Sequence, residues 1–97
     1  MKVRLSKPTR AGLDEIWRYT KENWGVNQAD RNIDALTMRL RWLTKNKPLW
    51  MSRDELNRGL FSFREGRYVI FFKASKQSIS IIRILNDRMD VSLRLAG

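Results

Sequence analysis

Neither cysteine nor histidine occurs among the 97 residues. The first absence excludes disulfides and thiolate metal sites. The second removes the commonest general base and the commonest metal ligand, and with them every serine–histidine or cysteine–histidine nucleophile system. Glycine and proline are scarce, at five and two residues. No linker, internal repeat or low-complexity tract breaks the chain, so residues 1–97 read as a single domain. No apolar run approaches the roughly 20 residues that a membrane-spanning helix needs. The N-terminus lacks the pattern of a signal peptide, and a cytoplasmic location is expected. Asp87 and Asp90 have no further acidic cluster to build a metal or paired-carboxylate site, and local pairing with Arg88 or Arg94 is expected instead. No metal, cofactor or membrane partner is expected.

What the chain does hold is positive charge. Twenty Lys and Arg oppose ten Asp and Glu, for a net charge of +10. Such an excess on so small a domain calls for an anionic partner: nucleic acid, an acidic protein segment or an anionic surface. The cations are spread along the chain rather than blocked together. Hydrophobic residues at 42% and aromatic ones at 10% are enough for a packed core.

The periodicities predict an α+β fold: an N-terminal strand, an antiparallel helical hairpin, then a three-stranded antiparallel meander. Met1 to Ser6 reads as a strand with Val3 and Leu5 on one face. A helix starts at Ser6 or Lys7, tolerates Pro8 in its first turn, and ends at Gly25. Asn27 suits the cap of a second helix, whose stripe of Ala29, Ile33, Leu36, Leu40 and Leu43 repeats at helical spacing. Its opposite face carries Arg31, Arg39, Arg41 and Lys45. Asn46 and Pro48 stop it, and Leu49 to Gly59 has no clear period. Strands are expected over Leu60–Arg64, Tyr68–Lys73 and Ser78–Leu85, joined at Glu65-Gly66 and at Ala74–Gln77. Asn86 to Gly97 suits either a short helix or a tail.

Four tryptophans invite a base-stacking reading. Trp17 and Trp24 share the apolar side of the first helix and are expected in the core. Trp42 suits either core or surface. Trp50 and Met51 lie in the irregular connection, where exposure would mark a partner site. Alternation puts Arg83 on one face with Ile79, Ile81 and Leu85. A cation there needs solvent, a carboxylate such as Asp87 or Asp90, or a bound phosphate or carboxylate. Arg64, Arg67, Lys73, Arg83 and Arg88 are expected to gather on the sheet and its edges as a target-binding set.

Several strings, in order, carry a resemblance to a known family. They are Leu13-Asp14-Glu15-Ile16-Trp17-Arg18-Tyr19, Asn23-Trp24-Gly25, Asp54-Glu55-Leu56 with Arg58-Gly59-Leu60, Gly66-Arg67-Tyr68-Val69-Ile70-Phe71-Phe72, and Arg83-Ile84-Leu85-Asn86-Asp87-Arg88-Met89-Asp90. Together they resemble the ParE branch of the RelE/ParE toxin superfamily over nearly the whole chain. Asn86 stands where that family commonly has histidine, and Lys47-Pro48-Leu49-Trp50 where a Pro–Gly-like turn is usual. The resemblance implies a binding toxin that inhibits DNA gyrase and is neutralised by a cognate ParD-like antitoxin in a hetero-oligomer. An antitoxin helix and extended segment would use the groove between hairpin and sheet, with Trp50 and Met51 as apolar contacts and Arg39, Arg53 and Arg58 as charged ones. The enzymatic alternative is a RelE-like, ribosome-dependent messenger RNA interferase, with Tyr68 transferring a proton and Arg67 and Arg83 holding the phosphate. A plain duplex-binding module ranks third.

Overall fold

Residues 1–86 are described by the computed structural model. The expected helix or tail after Asn86, with Asp87, Arg88, Asp90 and Arg94, lies outside the described residues. Val3 and Leu5 alternate with Lys2 and Arg4, and this period of two forms strand β1 (Lys2–Leu5). Helix α1 (Lys7–Trp24) then begins under a Ser6 cap whose hydroxyl accepts from the Thr9 N–H at 3.1 Å. Helix α2 (Val26–Leu43) follows after one residue, Gly25, at φ 91° and ψ 170°. That glycine reverses the chain so tightly that α2 starts before Asn27, which is not its cap. Thr9, Thr20, Ala29, Leu36, Leu40 and Leu43 are the buried positions along the hairpin. Each leucine so buried contributes roughly 1.5–3 kcal/mol before entropy is subtracted.

A 3-10 turn (Lys47–Leu49) leads to strands β2 (Met51–Ser52), β3 (Phe61–Glu65), β4 (Tyr68–Ala74) and β5 (Ser78–Asn86). They form one sheet in the order β1-β5-β4-β3-β2, with β1 parallel to β5 and the remaining pairs antiparallel. The expected meander is therefore present, extended by β1 at one edge. Two residues of the supposedly irregular connection form β2 at the other edge.

Both helices pack on one face of this sheet. There Leu40 and Leu43 meet Ile70, Phe72, Ile79, Ile81 and Ile84, with Val3, Leu5, Leu13 and Ile16 around them. A β-bulge interrupts β5: Phe72 pairs with Ile81 but Phe71 pairs with Arg83, which leaves Ile82 as the extra residue. The bulge resets the alternation. Ile79 and Ile81 face the helices, whereas Leu85 joins Phe71 and Leu60 in a second cluster on the other side. Arg83, opposite Phe71, shares that second side. The expectation that Arg83 lies with Ile79 and Ile81 is thus corrected. Start and bulge are tied together, because Ser6 Oγ donates to the Ile82 carbonyl at 3.0 Å and Thr9 Oγ1 to the Ile81 carbonyl at 2.9 Å.

Candidate functional site

Trp24 is the clearest departure from expectation, since it is 63% exposed rather than core. Periodicity gives the side of a helix that a residue occupies but not how far the partner surface extends. Here the buried place in the last turns of α1 goes to Thr20, whose hydroxyl donates to the Ile16 carbonyl at 2.7 Å. Trp17 is half-buried and clamps the hairpin, its indole N–H donating to Asp30 at 2.9 Å. Trp24 instead meets Tyr19, itself 60% exposed, edge to face at 6.0 Å.

This aromatic pair borders a cleft of about 560 Å³ between the hairpin tip and the β3–β4 turn. Gln28, Asn32, Arg67, Tyr68 and Asn86 add polar groups to its wall. Burial pushes the Tyr68 hydroxyl above its ordinary value and Tyr19 adds to the rise, while a Thr20 hydrogen bond and the Arg67 charge oppose it. A phenol so shifted is a hydrogen-bonding wall group at neutral pH and a poor base. Tyr68 pairs with Asn86 and packs on the helix side, whereas Arg83 lies on the opposite face. Of the residues named for RNA cleavage, Arg67 and Tyr68 meet at the cleft, but Arg83 lies on the other side of the sheet, so the three are not brought together.

The opposite, helix-free face gathers much of the target-binding set. Arg64, Lys73 and Arg83 lie on it by register with Val69, Ser80 and Phe71. Lys2 and Arg4 join them from β1, where Val3 and Leu5 point to the helices. Arg67 belongs to the cleft instead, and Arg88 lies outside the described residues. Lys2 and Arg4 are not among the expected site residues. Their alternation was readable, but their neighbour β5 is 76 residues away and nothing local names it.

The residues expected at an antitoxin surface are scattered. Trp50 faces inward, donating its indole N–H to the Leu43 carbonyl at 2.9 Å and packing on Phe61 and Phe72. It is a core residue and not an exposed contact. Arg39 turns towards the sheet: its Nε donates to Glu65 at 2.6 Å and its guanidinium lies 4.6 Å from the Trp42 ring. Trp42 in turn packs on Phe63 at 5.1 Å. Arg53 donates to Ser62 at 2.9 Å on the helix-free face. Met51 is exposed on edge strand β2, with exposed Leu49 and Leu56 on the same connection and exposed Arg58 beyond. Among the described residues no group of acidic side chains could hold a metal ion, and no described helix is long and apolar enough to cross a membrane.

Comparison with known proteins agrees with this architecture. A family profile described as the ParE toxin of the type II toxin–antitoxin system parDE matches residues 3–91. A protein of Mycobacterium tuberculosis (strain ATCC 25618 / H37Rv) named Toxin ParE1 is 30% identical over 92 residues, covering 94% of each chain. Another Toxin ParE1, from Caulobacter vibrioides, is 28% identical over 92 residues and 95% of each chain. A solved structure titled as the chromosomal ParDE TA system from P. aeruginosa superposes with a TM-score of 0.74 at 17% identity, over 89% of this chain and 95% of that one. At that identity the superposition speaks for the fold.

Proposed function

Because this chain belongs to the ParE toxin family of type II toxin–antitoxin systems, we propose that it inhibits DNA gyrase by binding and that a cognate ParD-like antitoxin neutralises it. The observation that carries the gyrase reading is the exposed Tyr19–Trp24 pair beside the cleft. Large aromatic side chains left in water beside a concave surface are the residue types that dominate binding energy at interfaces. Arg67, at the cleft rim, supplies a charge to orient the partner.

The antitoxin is assigned to the β2 edge. Leu49, Met51 and Leu56 offer apolar anchors, and Arg53 and Arg58 lie in the same connection. A short edge strand accepts an extended segment, and the cations favour an acidic one. Binding is preferred over RNA cleavage because Tyr68 and Arg83 occupy opposite faces.

A crossed pair of variants tests both assignments. Trp24→Ala should raise the toxin concentration needed to block gyrase supercoiling by about tenfold or more, the scale of an aromatic hot spot, while still binding the antitoxin. Met51→Glu should weaken antitoxin binding and leave gyrase inhibition intact. Supercoiling that is unaffected by micromolar wild-type toxin would sink the gyrase reading. Equal loss of both functions in both variants would sink the division of surfaces.

A further inference from the structure

The helix-free face of the sheet carries an unbalanced charge. Its strands place five cations there, Lys2, Arg4, Arg64, Lys73 and Arg83. The one carboxylate in any described strand, Glu65, pairs with Tyr68 on the helix side and is held by Arg39. The other described acidic residues lie on the helices or at Asp54 and Glu55 in the connection. Lys2, Arg4 and Arg83 have no ion pair or side-chain hydrogen bond within the described structure. Arg4, Ser80 and Lys73 form one row across three strands, spaced about 4.8 Å per strand. At the β1 edge the face runs into a groove of about 570 Å³, lined by Lys2, Arg4 and Lys76 together with Ser75, Ser78 and the exposed Met1.

From this arrangement we infer that the helix-free face binds the phosphate backbone of duplex DNA. Charge complementarity requires a polyanion, and the uncharged groups decide which. Phe71, Leu60 and Leu85 are buried at 2%, 2% and 4% exposure, and Val69 and Ile82 are half-buried. Strands β1, β5, β4 and β3 therefore present no exposed apolar anchor for an amphipathic acidic peptide on this face; the exposed Met51, opposite Ser62, stands at its far β2 edge. Single-stranded nucleic acid binds through aromatic platforms. The exposed aromatics Tyr19 and Trp24 border the cleft on the other side of the molecule. Cations and hydroxyls whose only exposed apolar neighbours, Met1 and Met51, stand at the two opposite edges suit backbone contact that ignores sequence. The inference does not depend on gyrase, because it concerns the toxin and DNA alone.

Fluorescence anisotropy of the full chain with a labelled mixed-sequence duplex of about 20 base pairs tests it. Three to five phosphate contacts predict a log–log salt slope of about −3 to −5. Arg4→Gln with Arg83→Gln should reduce that slope by about 2 and weaken binding on the order of tenfold at 0.15 M salt. Arg18→Gln with Arg41→Gln removes the same charge from exposed helix positions and should change little. Circular dichroism checks folding, and Lys2→Gln with Arg83→Gln replaces the first variant should that one fail to fold. The inference is overturned if the duplex does not bind at 50 mM salt. It is equally overturned if the helix variant loses as much as the sheet variant. Tighter binding of the matching single strand, of an RNA duplex or of a polyglutamate peptide would overturn it too. Gyrase is absent from every arm, so failure here leaves the supercoiling result standing, and the reverse holds.

Discussion

Tyr68 shows what one residue's surroundings decide. At the head of β4 it is half-buried under the hairpin, and the folded chain holds its phenolic proton more tightly than an exposed tyrosine would. The unfolded chain releases that proton near the ordinary value of 10.0. The stabilisation is therefore complete below about pH 10 and is lost as the pH rises through the raised folded value. Thermal melts should show the midpoint of wild type falling above pH 10, with a shallower fall for Tyr68→Phe. Parallel curves for the two proteins would mean that the hydroxyl contributes nothing. The sequence made Tyr68 legible as a residue of an apolar strand and left its neighbours out of reach. Thr20 and Tyr19 come to it from a helix nearly 50 residues earlier, and no local pattern encodes that meeting.

At the scale of elements, both helices, four of the five strands and the Gly25 reversal were legible, since each rests on a local period or a local φ preference. Strand β2 was not, because two residues cannot display alternation. Nor was the bulge at Ile82, since five of the nine residues of β5 are aliphatic and an inserted residue leaves no gap in such a run. Without the bulge, strict alternation assigns Arg83 to the face of Ile79 and Ile81, away from Lys73 on the helix-free side. Gly25 carries the sharpest element-scale prediction. Its φ of 91° with ψ of 170° is a region that side chains with a Cβ avoid. Gly25→Ala should destabilise the fold by about 1–3 kcal/mol, read as a lower urea midpoint at unchanged slope. An unchanged midpoint would show that the hairpin tip relaxes at no cost, although nothing within 4 Å would obstruct the new methyl group.

Over the whole molecule, repulsion outweighs attraction. The net charge is +10, and two ion pairs, Arg39–Glu65 and Arg53–Glu55, join described residues to one another. Salt screens many repulsions here and few attractions. Raising sodium chloride from about 10 to about 150 mM should lift the melting temperature by a few degrees, on the order of 1 kcal/mol of relieved repulsion. A falling melting temperature would mean that attractive pairs dominate. The sign of the charge was legible from composition alone. Its separation into a mixed helical layer and a cationic sheet face was not, because that depends on which way each strand residue points.

The parallel pairing of β1 with β5 also sets a clock. Ser6 and Ile82, whose hydrogen bond helps lock the two strands together, are 76 residues apart. At ordinary translation speeds of about 5–20 residues per second, roughly 4–15 s separate their synthesis. During that interval the nascent chain has an N-terminal strand with no edge to join and a hairpin with no completed sheet beneath it. A toxin built this way matures only once β5 has been made. An antitoxin already present in the cell would then meet each new molecule as it closes.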